Sequence, residues 1–122
     1  MISGLFPKPA SFKEKSRVYD LKSRLDWGEP ALTIVDVRDR LTFNQGHIMG
    51  AVSIPTEDLV ARAAANLERD RDIYVYSDTD EETAEAAARL REAGFNRIAE
   101  VTGGLGAWKA AEYPVEAIST VA

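Results

Sequence analysis

The apolar positions of the chain fall into short blocks whose period switches between that of a helix and that of a buried strand. Val18, Leu21 and Leu25 recur at spacings of three and four, with Lys22 and Arg24 between them, which predicts a helix from about Val18 to Trp27. Gly28 then supplies a stop, and Pro30 prevents continuation. Ala31-Leu32-Thr33-Ile34-Val35 is a compact β-branched run of the kind found in buried strands. Polarity changes abruptly after it, at Asp36-Val37-Arg38-Asp39-Arg40. A second short strand is expected from about Ala51 to Ile54, ended by Pro55. Thr56 is placed to cap a helix from Glu57 to about Leu67, with Leu59, Val60, Ala63, Ala64 and Leu67 facing inward. Asp72-Ile73-Tyr74-Val75-Tyr76 reads as a third strand, followed by a polar loop over Ser77 to Glu82. The next helix runs from about Glu81 to Ala93, with Ala84, Ala87, Ala88 and Leu90 as its inner stripe. Gly94 stands where a left-handed terminal residue belongs, and Phe95 can fold back onto Leu90. Arg97 to Val101 is a further strand, and Thr102-Gly103-Gly104 turns tightly into a short helix, Leu105 to Ala111. Pro114 closes off the segment from Glu112 onward.

Strands alternating with helices through short loops predict an α/β fold, a parallel sheet with helices on both faces. Ligands of such sheets sit beyond the carboxyl ends of the strands, so the loop after Tyr76 is the first place to look for chemistry. Residues 1–15, with Pro7 and Pro9 and no sustained period, read as an extended arm, mobile or laid on the surface. Residues 16–118 then form one domain, and 119–122 a short tail.

Composition narrows the function. The chain has 122 residues, room for one core. Acidic residues outnumber basic ones by 20 to 15, a formal charge of −5, so a phosphate-binding nucleic-acid groove is not expected. No apolar run approaches the roughly 20 residues of a membrane span, and no leader pattern is evident, so a cytoplasmic protein without membrane contact is expected. Cysteine is absent, which removes disulfides, thiolate metal sites and a cysteine nucleophile together.

Several segments carry a resemblance. Asp36-Val37-Arg38 after a strand is followed by Gly46-His47-Ile48-Met49-Gly50-Ala51 and Ile54-Pro55. Farther on come Ile73-Tyr74-Val75-Tyr76, Ala93-Gly94-Phe95, Gly103-Gly104-Leu105-Gly106-Ala107-Trp108 and Tyr113-Pro114-Val115. In order and spacing, from about Val18 to Glu116, the chain resembles the rhodanese-like domain family. The resemblance implies a five-stranded, mainly parallel sheet flanked by helices. It also implies an active loop that normally reads Cys-x-x-Gly-x-Arg-Ser, whose cysteine carries a persulfide inside a nest of backbone amides at a helix start.

Here the matching stretch is Ser77-Asp78-Thr79-Asp80-Glu81-Glu82-Thr83. Ser77 stands at the cysteine position, Asp80 at the glycine position and Glu82 at the arginine position. A hydroxyl cannot form a persulfide, and no alkoxide is available near neutral pH without a base. Asp78, Asp80, Glu81 and Glu82 crowd the mouth through which a sulfur oxyanion would enter. One like-charge contact at about 4 Å and an effective dielectric near 20 costs roughly 4 kcal/mol. A catalytic role is therefore not expected, and the four carboxylates become binding candidates.

Each candidate has a structural alternative. Thr79-Asp80-Glu81-Glu82 fits a Thr-x-x-Glu capping box, and carboxylates in a first turn complement the helix dipole. Capping is the favoured main role, with Asp78 and Glu81 still able to face a partner. A hard cation such as Ca²⁺ or Mg²⁺ would suit oxygen ligands, but the run lacks EF-hand spacing, so no metal or other cofactor is expected. Asp78-Thr79-Asp80 also resembles the start of haloacid-dehalogenase-type phosphatases. Glu82 occupies the place of their threonine, and the segment lies too late in the chain for that fold.

Ser77 could pair with His47, the single histidine, yet no nucleophile elbow is present, and a loop serine bonded to nearby backbone is the plainer reading. Asp36, Arg38 and His47 are read as an internal polar clasp between the first strand's exit and the following loop. Trp27 and Trp108 are read as packing residues, and Arg62, Arg69, Arg71, Arg89, Arg91 and Arg97 as a solvated surface.

The expected function is a catalytically inactive binding or regulatory module that meets a basic protein segment through its acidic loop. The competing expectation is a rhodanese-related sulfurtransferase working with a partner thiol or by a non-cysteine route. The sequence leaves the oligomeric state open.

Overall fold

The computed structural model describes residue 9 and residues 11–28 and 31–118. Its elements in chain order are β1 (Lys15–Ser16), α1 (Val18–Trp27), β2 (Leu32–Asp36), α2 (Arg40–Gln45), β3 (His47–Ile48) and β4 (Val52–Ser53). They continue with a 3₁₀ turn (Thr56–Asp58), α3 (Leu59–Asn66), β5 (Asp72–Tyr76), α4 (Asp80–Glu92), β6 (Ile98–Val101), α5 (Gly104–Ala110) and β7 (Val115–Glu116). Five strands form one sheet in the order β1-β6-β5-β2-β4, every neighbouring pair parallel. The β3 and β7 strands make a separate antiparallel pair, with His47 opposite Glu116.

Side-chain alternation along the central strands sorts the core into two halves. Ile73 and Val75 of β5, with Val35 and Val37, meet Leu59 and Ala63 of α3 and Ala86, Ala87 and Leu90 of α4. Ile34, Tyr74 and Tyr76 lie in the other half with Leu21 of α1, Phe43 of α2 and Trp108 of α5. Helices thus cover both faces, as the alternation of elements predicts. At the end of α4, the Phe95 amide reaches back to the Leu90 carbonyl at 3.1 Å, and Gly94 takes φ +97°.

Several expectations are corrected. The buried residues of α4 are Thr83, Ala86, Ala87 and Leu90, and Ala84 and Ala88 are exposed. In a run of alanines apolarity alone does not set the phase. It is set by Thr83 and Leu90, seven residues apart on one stripe. Thr56 caps nothing: the 3₁₀ turn follows Pro55, and α3 starts at Leu59 without a side-chain cap. Ala64 is exposed, while Val60 and Leu67 are half-buried.

The α2 helix is an addition to the expected elements, because six residues with Phe43 as their buried member show no period. Its start is nonetheless capped, since Asp39 Oδ1 accepts from the Thr42 amide at 2.9 Å. Lys15, assigned to the arm, pairs in β1 with Glu100 at the sheet edge. Residues 1–8 and 10 of that arm, and the tail at 119–122, lie outside the described residues.

Trp108 is buried and donates Nε1–H to the Pro114 carbonyl at 2.6 Å, whereas Trp27 is 42% exposed rather than packed. Most of the arginines assigned to a solvated surface instead make specific bonds. Arg71 reaches Thr33 Oγ1 and the Leu32 carbonyl, both at 2.9 Å. Arg91 donates to the Ile98 carbonyl at 3.0 Å and to Glu100. Arg69 donates to the Ala93 carbonyl at 3.1 Å, and Arg97 pairs with Asp72.

Candidate functional site

The loops that follow β2, β4 and β5 converge beyond the carboxyl ends of those strands around a pocket of about 340 Å³. Parallel pairing brings them together: Val35 and Asp36 are in register with Val75 and Tyr76 on one side and with Val52 and Ser53 on the other. The wall carries the carboxylates of Asp39, Glu57, Asp78, Glu82 and Glu85 and the guanidiniums of Arg38 and Arg89, so acid exceeds base. Ser77 and Thr56 add hydroxyls.

The loop after β5 is held from within. The Ser77 amide donates to Thr83 Oγ1 at 2.8 Å, and that hydroxyl donates to the Thr79 carbonyl at 3.0 Å. Thr79 Oγ1 accepts from the Glu82 amide at 3.1 Å, a side-chain N-cap, and donates to Glu82 Oε1 at the same distance. Asp80 Oδ1 accepts from the Gly103 amide at 2.9 Å, tying the loop to the turn before α5. The amides of Ser77, Glu82 and Thr83 are thereby occupied by the protein's own oxygens, which leaves less of the anion nest that a sulfur oxyanion would need. At Gly104, with φ +50°, a Cβ would lie 2.8 Å from the Ser77 carbonyl, so the α5 turn closes on the loop more tightly than a side chain allows.

Arg38 is the hub of the neighbouring turn. Its guanidinium forks onto buried Asp36, with Nη2 to Oδ2 at 2.6 Å, and Nη2 also donates to the Gly46 carbonyl at 2.7 Å. Its backbone amide bonds Asp36 Oδ1 at 3.0 Å, and Nη1 lies 3.7 Å from Asp78. Burial opposes the charge on Arg38, but the hydrogen bonds to Asp36 outweigh it and hold the pKa above its ordinary value. Burial, then the hydrogen bond with Asp36, pushes the Tyr76 phenol far above its ordinary pKa. Tyr76 therefore stays neutral, and its oxygen accepts from the Ile48 amide at 3.0 Å.

The structure keeps two members of the expected clasp and replaces the third. His47 does not bond Asp36 or Arg38. Its ring stacks on Phe43 with centroids 3.7 Å apart, Nδ1 meets the Phe43 carbonyl at 2.8 Å, and Nε2 lies 3.5 Å from Glu116. The Gly46 carbonyl takes its place by accepting from Arg38 Nη2, and the Tyr76 ring lies against the guanidinium with its centroid 5.6 Å from Cζ. His47 stacks on Phe43, a member of the core half opposite Val75, whereas Ser77 shares its pocket with Ala86 on the α4 side. The two do not pair. The Ser77 hydroxyl, expected to bond nearby backbone, has no hydrogen-bond partner among the described residues; the residue's amide makes the local bond.

Of the four binding candidates, Asp78 and Glu82 line the pocket, Glu81 is exposed outside its wall, and Asp80 is engaged with Gly103. Sequence reasoning missed Glu57, Glu85 and Arg89. Glu82, Glu85 and Arg89 follow at three and seven residues along α4, so a stripe count through Glu82 would have found the last two. Arg89, grouped by the sequence pattern with surface charges, donates to the Thr56 carbonyl at 2.9 Å across the pocket. Among the described residues no His, Asp and Glu side chains cluster as a metal site, and no helix is long and apolar enough to cross a membrane.

Comparison with known proteins agrees with this architecture. The family model of the rhodanese-like domain matches residues 17–111. The crystal structure of the Alr3790 protein from Anabaena sp. superposes with a TM-score of 0.84 and 58% identity, covering 86% of this chain and 94% of that one. The thiosulfate sulfurtransferase GlpE of Shewanella oneidensis is 36% identical over 78 residues, 64% of this chain and 76% of its own length. The probable adenylyltransferase/sulfurtransferase MoeZ of Mycobacterium tuberculosis is 36% identical over 90 residues, 73% of this chain; the match spans only 23% of MoeZ. By matched length, parallel five-stranded sheet and likeness to these proteins, the chain belongs to the rhodanese-like domain family, and it contains no cysteine.

Proposed function

We propose that the chain is a catalytically inactive rhodanese-like domain acting in the cytoplasm as a binding or regulatory module, which recognises a basic segment of a protein partner through its former active-site loop. The observation that carries this reading is the exchange at the loop itself. Ser77 occupies the nucleophile position, and Asp78 and Glu82 face a pocket to which Glu57 and Glu85 add further negative charge. A persulfide needs a sulfur atom, and a sulfur oxyanion would enter against that field. The sulfurtransferase names of relatives support the fold and the ancestry of the site; the changed residues support the change of role.

Two measurements test it. Purified protein with thiosulfate and cyanide is expected to form thiocyanate at the buffer rate. Formation above background that is lost in Ser77→Ala would establish a non-cysteine route and overturn the reading. Affinity capture is expected to retain a partner with a Lys- or Arg-rich segment, lost when Asp78→Asn, Glu81→Gln and Glu82→Gln are combined. Asp80 is kept in that variant because it holds Gly103.

A further inference from the structure

The pocket beyond β2 and β5 holds more than an excess of carboxylate. Ser77 is only 7% exposed, it lines the cavity, and its hydroxyl has no hydrogen-bond partner among the described residues. The hydroxyl opens onto the cavity instead of being sealed in the core as Ser53 Oγ is, so a ligand's polar group can reach it.

The charges around it differ in how far they are already satisfied. Arg38 is forked onto Asp36 and the Gly46 carbonyl, and Arg89 donates to the Thr56 carbonyl. Glu57 and Glu85 line the pocket with no hydrogen bond or ion pair among the described residues. With the Ser77 hydroxyl they leave three side-chain acceptors on the wall without a donor among the described residues, next to the Glu82 carboxylate, of which one oxygen already accepts from Thr79. We propose that the pocket takes one arginine side chain of a partner protein, its guanidinium seated among Glu57, Glu82 and Glu85 with the Ser77 hydroxyl as an acceptor beneath it.

Size and chemistry both favour that occupant. A volume of about 340 Å³ is near the lower end of the roughly 300–1,000 Å³ typical of ligand pockets, room for one long side chain rather than a folded element. A guanidinium is planar, carries five donors and is weakly hydrated, so it can serve several acceptors at once while leaving water. A lysine ammonium is more strongly hydrated and offers a compact point charge. An anion would meet more carboxylates than guanidiniums.

This inference rests on the binding role proposed above and assigns it to the pocket rather than to the exposed rim. Its test is an amide-resolved NMR titration of the full chain with the end-blocked pentapeptide Gly-Gly-Arg-Gly-Gly and two analogues. In these, lysine or neutral citrulline replaces the arginine. The arginine peptide is expected to shift the amides of Thr56, Ser77, Asp78 and Glu85 to saturation. The lysine peptide should bind several-fold more weakly, and the citrulline peptide not measurably. Ser77→Ala should weaken arginine binding at least about tenfold, by loss of one hydrogen bond to a charged group. Glu85→Gln, on the exposed side of α4, should weaken it at least threefold and tests the proposal should Ser77→Ala fold poorly.

Equal binding of arginine and lysine peptides, with shifts centred on Glu81 and insensitive to both substitutions, would overturn the pocket assignment while leaving a basic-segment role in place. Absence of saturable shifts with all three peptides would overturn the assignment as well. Thiocyanate formation by the unaltered protein would remove the underlying reading instead.

Discussion

Arg38 illustrates how one side chain organises the approach to the pocket. Its fork on Asp36 fixes the exit of β2, its bond to the Gly46 carbonyl fixes the chain before β3, and Asp36 sits fully buried beneath it. Asp36→Asn leaves a buried guanidinium short of its counter-charge and is expected to cost about 3–5 kcal/mol, read as a lowered urea midpoint. Ser53 is the opposite case. Its buried hydroxyl has no hydrogen-bond partner among the described residues, so Ser53→Ala is expected to be neutral or to stabilise by up to about 1 kcal/mol in the same measurement.

Asp72 gives the molecule an acid-sensitive component. Burial raises its pKa, but hydrogen bonds from Arg97 and Arg24 outweigh this and hold it below the ordinary 3.8. A folded-state pKa depressed in this way contributes stability that is fully present above the unfolded value and is lost as pH falls through the folded one. Unfolding followed against pH should therefore show the unaltered protein and Asp72→Asn differing most above pH 4 and converging as pH falls below it.

At this level the sequence is legible where a residue acts through its neighbours in the chain, as Thr79 and Asp36 with Arg38 do. It is not legible for Arg89, Asp80 and His47, whose partners at Thr56, Gly103 and Glu116 are distant in sequence.

Among the elements, the start of α4 carries the site. Thr79 caps it, Thr83 threads the loop behind it, and Asp80 anchors it to the α5 turn. Thr79→Ala is expected to cost about 1 kcal/mol. Gly104→Ala should cost more, about 2 kcal/mol or above, because its Cβ would collide with the Ser77 carbonyl at a positive φ. Differential scanning of the two variants checks that ranking. The long, periodic or strongly apolar elements are readable: the bounds expected for α1 and β5 are those observed. The expected strand before Pro55 is present as β4, whereas β1, α2, β3 and β7, of two to six residues, are too short to express a period.

Over the whole molecule, the order of strands and helices and the spacing of motifs suffice to expect a parallel sheet with its chemistry beyond the carboxyl ends of the strands. They do not convey which charges converge there. The loop after β5 supplies Ser77, Asp78 and Glu82, but Glu57 and Glu85 enter from the β4 exit and the second turn of α4. The pocket's negative field is a property of three converging segments and not of the acidic loop alone. Restoring the sulfur atom without changing that field separates the two components of the family's chemistry.

The most direct measurement is mass spectrometry of Ser77→Cys after incubation with thiosulfate, alongside thiocyanate formation by the same variant. An inactive binding module predicts no stable one-sulfur adduct and thiocyanate at the background rate, because acidic residues still stand at the glycine and arginine positions. Efficient persulfide formation by that single variant would show that the pocket still admits a sulfur oxyanion, and would contradict the account.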